Sequence, residues 1–125
     1  SAMDNSKYFS KAELQCKCGC EAAPMNATFL IMLDELRATF GKPLLVSSGY
    51  RCPAHNSLVS STGGTGPHTS GKAVDLRVDR GAAHQLLKIA MDMNFSGIGI
   101  NQKGSGRFIH LDILVEGLRP TVWSY

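Results

Sequence analysis

The sequence predicts an α+β fold in which a small, mostly antiparallel sheet carries helices on one face. Two stretches have apolar side chains at the three-to-four-residue spacing of amphipathic helices, and two others alternate apolar and polar residues as half-buried strands do. The 125 residues, 43% of them hydrophobic, are enough for one modest core. We expect an N-terminal arm with a cysteine-rich segment over residues 1–24 and a single domain over residues 25–125.

Cysteines dominate the N-terminal arm, in the run Cys16-Lys17-Cys18-Gly19-Cys20, and Cys52 is the fourth. Four cysteines allow three disulfide connectivities or a thiolate zinc site, although this spacing is not that of a usual zinc knuckle. We favour a structural tie between the arm and the Cys52 segment, by disulfide or buried thiols, over a second metal ion. A catalytic thiol ranks last, because no histidine is adjacent in the sequence.

The first helix is predicted to follow Asn26, which can cap it, and to end at Gly41, which Pro43 follows. Leu44-Leu45-Val46 reads as a short buried strand, and Cys52-Pro53 begins a short helix. The apolar stripe of the first helix predicts which side chains face the core: Phe29, Met32, Leu33, Leu36 and Phe40.

A second long helix is predicted from a cap at Asp79 to about Asn94, and His84, which lies off its apolar stripe, is expected in solvent. In Gly97-Ile98-Gly99-Ile100 the glycines share one strand face and leave bare backbone there, where a peptide can approach Gly99. Trp123, the single tryptophan, is expected over the sheet edge. The stripe of this helix consists of Ala83, Leu86, Leu87, Ala90 and Met91.

Two strands each place polar side chains opposite an aliphatic stripe. Alternation over Lys72–Val78 turns Asp75 away from the apolar side, and alternation over Phe108–Ile113 does the same for His110 and Asp112. If these strands are neighbours in one sheet, Asp75 and His110 converge, and His68 can fold over them from the preceding loop.

Two imidazoles and one carboxylate suit Zn²⁺, and three protein ligands leave a fourth position for water. Taken singly, each of these residues is better explained as an ordinary surface or core residue. The combination predicts one catalytic zinc ion held by His68, Asp75 and His110.

Several motifs together resemble one known family: Ser48-Gly49-Tyr50-Arg51, His55-Asn56, the run from His68 to Asp75, Gly97-Ile98-Gly99, and Phe108–Asp112. In order and spacing they are similar to the small bacterial and phage branch of peptidase family M15, which contains zinc D-Ala-D-Ala carboxypeptidases and peptidoglycan endopeptidases. The similarity extends from about Tyr8 to near the C-terminus. It implies a zinc-dependent hydrolase that cleaves peptide bonds in bacterial cell walls.

The resemblance also implies roles for residues beside the metal. Arg51 alone reads equally well as a surface residue or as a bidentate carboxylate ligand; the resemblance favours a role in binding or polarising the substrate. Ser48, Tyr50 and Gly99 are expected to contact the substrate as well. Many relatives carry a serine two residues before the first ligand, whereas this chain has Gly66.

The general base is the weak point of the resemblance. Several relatives carry an acid or a histidine two or three residues before the last ligand, where this chain has Phe108 and Arg107. Asp112 is the nearest replacement, either as the base or as a carboxylate hydrogen-bonded to a ligand or to Arg51. Glu116 and His55 remain further candidates.

The alternative to a peptidase is a zinc-containing module that binds peptidoglycan without cutting it, and a third possibility is a purely structural zinc ion. Because long insertions are absent, we expect an open cleft and hence an endopeptidase rather than a carboxypeptidase.

The charge and hydropathy of the chain indicate neither a nucleic-acid partner nor a membrane protein. The net charge of +3 is mild, the basic residues form no cluster of the kind that binds nucleic acid, and the sequence contains no apolar run long enough for membrane insertion. We expect a monomer, with a phage lysin (endolysin) released to the periplasm or cell wall as the favoured setting.

Overall fold

A computed structural model of the chain describes residues 5–125. Five strands form one sheet in the order β1-β2-β4-β3-β5, and every pairing is antiparallel except that of β3 with β5. This confirms the predicted α+β fold. The strands are β1 Leu45–Ser48, β2 Ala73–Arg77, β3 Gly97–Asn101, β4 Phe108–Asp112 and β5 Thr121–Ser124; the helices are α1 Lys11–Leu14, α2 Ala27–Phe40, α3 Pro53–Val59 and α4 Arg80–Asp92.

One face of the sheet packs against α2 and α4 around a single apolar core. The Asn26 side chain caps α2 by accepting a hydrogen bond of 2.9 Å from the Phe29 N–H, and Gly41 ends the helix at φ +78°. Asp79 precedes α4 as predicted but makes no capping hydrogen bond through its side chain. Met91 lies in the last turn of α4 and is 57% exposed, which corrects the prediction that it faces the core.

The N-terminal arm packs into this same core. Phe9 and Leu14 are buried with the residues of α2, and Ser10 closes a capping box with Glu13 at the start of α1. The Tyr50 N–H donates a hydrogen bond of 2.8 Å to the Leu14 carbonyl, and a Cβ atom on Gly49 would lie 2.6 Å from that oxygen. The arm is therefore seated against the end of β1, and only glycine fits at the contact.

One row of paired residues crosses all five strands on the face opposite the helices. Ser48 pairs with Asp75, Asp75 with His110, His110 with Gly99, and Gly99 with Trp123. Paired residues of neighbouring strands project to the same face. The predicted adjacency of the Asp75 and His110 strands is thus confirmed. The sequence did not predict strand β5, which brings Trp123 into the row.

The helices are all short. Within residues 5–125, none is long and apolar enough to cross a bilayer.

Candidate metal centre

Three side chains of metal-ligand type meet on the row of paired residues. His68 Nε2 lies 3.2 Å from Asp75 Oδ1, and His110 Nδ1 lies 3.0 Å from the same oxygen. All three ligand atoms are within 4.8 Å of one another. The three residues are buried, and the most exposed of them, Asp75, has 6% of its surface accessible. The structure therefore brings together the three predicted ligands from separate places in the chain.

His68 reaches the centre from a 3₁₀ turn, Pro67–Ser70, that precedes β2. Its Nδ1 atom lies 2.8 Å from the carbonyl oxygen of Gly49, and its own carbonyl accepts a hydrogen bond of 3.0 Å from the Arg51 N–H. The turn is thus fixed to the segment between β1 and α3. Gly71 then leads the chain into β2 at φ +74°, a backbone conformation that favours glycine.

Each histidine donates a hydrogen bond through the ring nitrogen that does not face Asp75. Because a backbone carbonyl only accepts, His68 Nδ1 carries the proton that faces Gly49, and His110 Nε2 donates to Asp112 Oδ2 at 2.7 Å. The remaining ring nitrogens, His68 Nε2 and His110 Nδ1, then face the carboxylate of Asp75. Their lone pairs and the carboxylate repel one another unless a cation or a proton lies between them. Imidazoles tied in this way to a carbonyl and a carboxylate are typical of metal centres, and the donor set fits a divalent ion such as Zn²⁺.

The pKa values of these groups follow from their shared burial. Desolvation alone would raise the pKa of Asp75, but hydrogen bonds from His110 and His68 lower it well below its usual range. Desolvation acts to lower the pKa of His110, whereas its hydrogen bonds to Asp112 and Asp75 raise it. A proton on His110 is therefore the competitor of a metal ion in the metal-free protein.

Asp112 contacts His110 but is not among the residues that line the cleft. Its carboxylate is fully buried, and it accepts two hydrogen bonds from Arg119, 3.0 Å from Nε and 2.8 Å from Nη2. It also accepts the N–H of Leu114 at 3.2 Å. Of the two roles considered for Asp112, this geometry favours the carboxylate that holds a ligand over the base, because Asp112 is fully buried and does not line the cleft.

Arg51 stands beside the three ligands and is held by three neighbours. Its Nη2 lies 3.7 Å from Asp75 Oδ2, its Nε donates to Ser48 Oγ at 3.1 Å, and its Nη1 donates to Asn56 Oδ1 at 3.1 Å. Asn56 is fully buried and also donates to Thr62 Oγ1 at 2.8 Å and to the Gly63 carbonyl. The guanidinium group is therefore fixed in orientation at the edge of the centre.

A cleft of about 540 Å³ opens over the ligands. One wall is aromatic, and the Trp123 ring lies 5.1 Å from the His110 ring between centroids. A second wall is formed by the loop of residues 60–62. The side chains lining the cleft include Arg51, Ser60, Ser61, Thr62, His68, Asp75, Phe108, His110, Arg119, Trp123 and Tyr125.

Three predicted substrate contacts, Ser48, Tyr50 and Gly99, are not among the residues that line the cleft. A Cβ atom on Gly99 would come within 2.7 Å of the Trp123 ring, so the backbone expected to be bare is covered by an indole. Ser48 is occupied with Arg51, and Tyr50 packs against the apolar core. Gly99 provides space for Trp123, and Ser48 positions Arg51, whereas the prediction treated both as direct contacts.

The family comparison agrees with this geometry. The family model described as Peptidase M15 matches residues 7–112, which is most of the chain. The chain belongs to the peptidase M15 family. None of the curated proteins searched matches it at a significant level.

The cleft of this M15 peptidase contains few groups able to take a proton from water. Among the described residues that line it, Asp75 is the only carboxylate. Glu116 is exposed on the loop after β4, and neither it nor His55 lines the cleft. Tyr125 does line it, and burial raises the pKa of its hydroxyl, so that group stays protonated at neutral pH.

Gly66 has a physical explanation in this M15 peptidase. A Cβ atom there would collide with the Thr62 side chain, which itself lines the cleft. The hydroxyl of Thr62 thus occupies the space that a serine at position 66 would need.

Sequence reasoning missed Arg119 and the two cleft-lining aromatic residues of the C-terminal segment, Trp123 and Tyr125. All three lie beyond the matched stretch of residues 7–112. The alternation of Thr121, Trp123 and Tyr125 with smaller or aliphatic residues is a strand signal that would have placed these side chains on one face.

Proposed function

We propose that this M15 peptidase is a zinc-dependent endopeptidase that hydrolyses peptide bonds in the stem peptides or cross-links of bacterial peptidoglycan. The observation that carries the proposal is the convergence of His68, Asp75 and His110, all buried, on the floor of a cleft that Arg51 also lines. A phage lysin or an enzyme that remodels the cell wall is the setting we propose for it.

The residues of the centre divide the work of peptide hydrolysis. When bound to His68, Asp75 and His110, Zn²⁺ supplies a Lewis acid for the scissile carbonyl and for a water molecule. Arg51 is held so that it can donate hydrogen bonds to a carbonyl oxygen in the cleft. Since that oxygen gains negative charge as the carbonyl is attacked, a fixed guanidinium stabilises the transition state more than the ground state.

The cleft also suits an anionic peptide. Two guanidinium groups, Arg51 and Arg119, line it, and the carboxylates of stem peptides are complementary in charge. The aromatic wall of Phe108, Trp123 and Tyr125 offers apolar surface beside the metal centre. Hydroxyl groups of Ser60, Ser61 and Thr62 on the other wall provide donors and acceptors for an extended backbone.

The proposal is tested by digesting purified sacculi with zinc-loaded wild-type protein and with His68→Ala. We expect wild type to convert cross-linked muropeptides to monomers and to expose new amino termini, while the variant stays at the background of the buffer control. His84→Ala, which changes an exposed histidine outside the cleft, should act like wild type. Equal release by wild type and His68→Ala would refute the proposal, and release of free D-alanine alone would indicate a carboxypeptidase.

A second candidate is a zinc-containing module that binds peptidoglycan without cleaving it. It is favoured by one observation, the lack of any carboxylate other than Asp75 among the described residues lining the cleft. Wild-type protein that sediments with sacculi yet exposes no new amino termini, across a range of pH and with Zn²⁺, Co²⁺ or Mn²⁺, would favour this candidate over the peptidase.

A further inference from the structure

A second group of potential metal ligands lies outside the cleft. Cys16, Cys18, Cys20 and Cys52 are all free thiols, and their sulfur atoms lie within 4.8 Å of one another. Cys16 Sγ is 3.5 Å from Cys18 Sγ, and Cys18 Sγ is 3.7 Å from Cys52 Sγ. Residues that are 36 positions apart in sequence thus meet in one cluster.

The spacing of the sulfurs distinguishes between a metal site and a disulfide. With Zn–S bonds of about 2.3 Å, the edges of a regular tetrahedron of sulfurs measure about 3.8 Å. The S–S bond of a disulfide measures only about 2.05 Å. The separations of 3.5 and 3.7 Å are close to the edge of a tetrahedron and far from a covalent bond.

Backbone N–H groups donate hydrogen bonds to two of the four sulfur atoms. The Cys52 N–H donates to Cys16 Sγ at 3.3 Å, and the His55 N–H donates to Cys52 Sγ at 3.4 Å, where α3 begins. Gly19, at φ +98°, turns the chain so that Cys18 and Cys20 both approach the cluster.

We propose that Cys16, Cys18, Cys20 and Cys52 bind a second, structural zinc ion. Four protein ligands leave no open position, which is the arrangement of a structural and not a catalytic site. The sequence alone favoured a disulfide or buried thiols over a second ion, and the geometry of the sulfurs reverses that order.

The proposed ion would act as a cross-link between the N-terminal arm and the segment that supports the cleft. Cys52 follows Arg51, which lines the cleft, and Gly49 of the same segment accepts the hydrogen bond of His68. A metal ion joining Cys52 to residues 16–20 would restrain this segment.

The test is metal counting on protein purified under reducing conditions with zinc supplied. We expect about two zinc ions per chain in wild type, about one in His68→Ala/His110→Ala, and about one in Cys18→Ser/Cys20→Ser. Replacement of zinc by Co²⁺ should give thiolate-to-cobalt charge-transfer absorption in wild type and in the histidine variant, and none in the cysteine variant. Absence of zinc from His68→Ala/His110→Ala, or charge-transfer absorption that survives in the cysteine variant, would overturn the proposal.

Two further measurements keep the outcome clear. If the cysteine variant does not fold, a mercurial reagent added to wild type should release one zinc ion as the four thiols react, and release of none would count against the site. After denaturation without reductant, all four cysteines should react with a thiol reagent, whereas fewer would indicate a disulfide. Since the histidine variant needs no peptidase activity to show its cysteine-bound ion, failure of this proposal is distinguishable from failure of the proposed function.

Discussion

The Nε2 atom of His110 lies 2.7 Å from Oδ2 of Asp112, whose carboxylate is completely buried. Arg119 donates two hydrogen bonds to the same carboxylate. Burial alone would raise the pKa of Asp112, but the contacts with His110 and Arg119 hold it well below its usual range. A permanently charged Asp112 therefore keeps the Nε2 proton on His110 and turns Nδ1 toward Asp75.

Replacement of this carboxylate by an amide tests that role. Asp112→Asn keeps the shape but removes the charge that binds His110 and Arg119, so we expect zinc affinity at the His68–Asp75–His110 centre to fall by about 10–100-fold. Competition with a chromogenic chelator measures the affinity, in the Cys18→Ser/Cys20→Ser background so that only this centre is counted. Asp79→Asn, at an exposed acid that makes no capping hydrogen bond, is the matched control. An unchanged affinity in Asp112→Asn would show that the Asp112 charge does not tune His110.

Gly97 is the strand residue that makes room for Asp112. A Cβ atom at Gly97 would collide with the Asp112 carboxylate, so Gly97→Ala must displace a buried ion pair or the strand itself. We expect the free energy of unfolding to fall by about 1–3 kcal/mol. Chemical denaturation measures it.

Gly81→Ala is the control for that substitution. Gly81 lies in α4 with nothing within 4 Å of its Cβ position, so alanine should stabilise the protein by about 0.5–1 kcal/mol. A loss of stability at Gly81 as large as that at Gly97 would show that the collision with Asp112 is not the cause.

The parts of the centre that the sequence predicted are those that depend on local periodicity. Alternation in two strands placed Asp75 and His110 opposite an aliphatic stripe, and their pairing followed once the strands were neighbours. The environment of Asp112 depends instead on Arg119, which lies between β4 and β5 in the sequence and donates to the Asp112 carboxylate. The indole of Trp123 covers Gly99 because β3 and β5 pair in parallel. Such contacts between distant parts of the chain leave no periodic pattern in the sequence. The contact of residues 16–20 with Cys52 is likewise nonlocal and could not be predicted from periodicity.

The pH dependence of the stability of the metal-free protein should change sign in the acidic range, between about pH 3.9 and about pH 6.5. Because the folded pKa of Asp75 lies below its unfolded value of about 3.9, its contribution to stability is full above that value and is lost as pH falls further. Because the folded pKa of His110 lies above its unfolded value of about 6.5, its contribution is full below that value and is lost as pH rises through the folded pKa. We therefore expect the melting temperature of the metal-free protein to decline on both sides of this window.

Zinc should remove the alkaline part of that decline, since a bound ion replaces the proton between His110 and Asp75. Melting curves of chelator-treated and zinc-loaded protein from about pH 2 to pH 9 provide the measurement. A folded but inactive chelator-treated protein is expected, because the apolar core does not include the centre. A melting temperature of the metal-free protein that stays flat as the pH rises above neutral would contradict this account. Collapse of the fold would favour a purely structural ion at this centre only if it also occurs on chelation of Cys18→Ser/Cys20→Ser, which lacks the cysteine site.

Trp123 provides an optical probe of the centre, because it is the single tryptophan and its ring lies 5.1 Å from that of His110. Arg119 also stacks on the indole, with its guanidinium carbon 4.9 Å from the ring centroid. A Co²⁺ ion held by His68, Asp75 and His110 would lie close to this ring, and its unpaired electrons quench fluorescence at short range. We expect saturable quenching by Co²⁺ in wild type and in Cys18→Ser/Cys20→Ser, and its loss in His68→Ala, which removes a ligand without touching the indole. Quenching of equal depth and midpoint in His68→Ala would mean that cobalt binds near Trp123 without the predicted ligands.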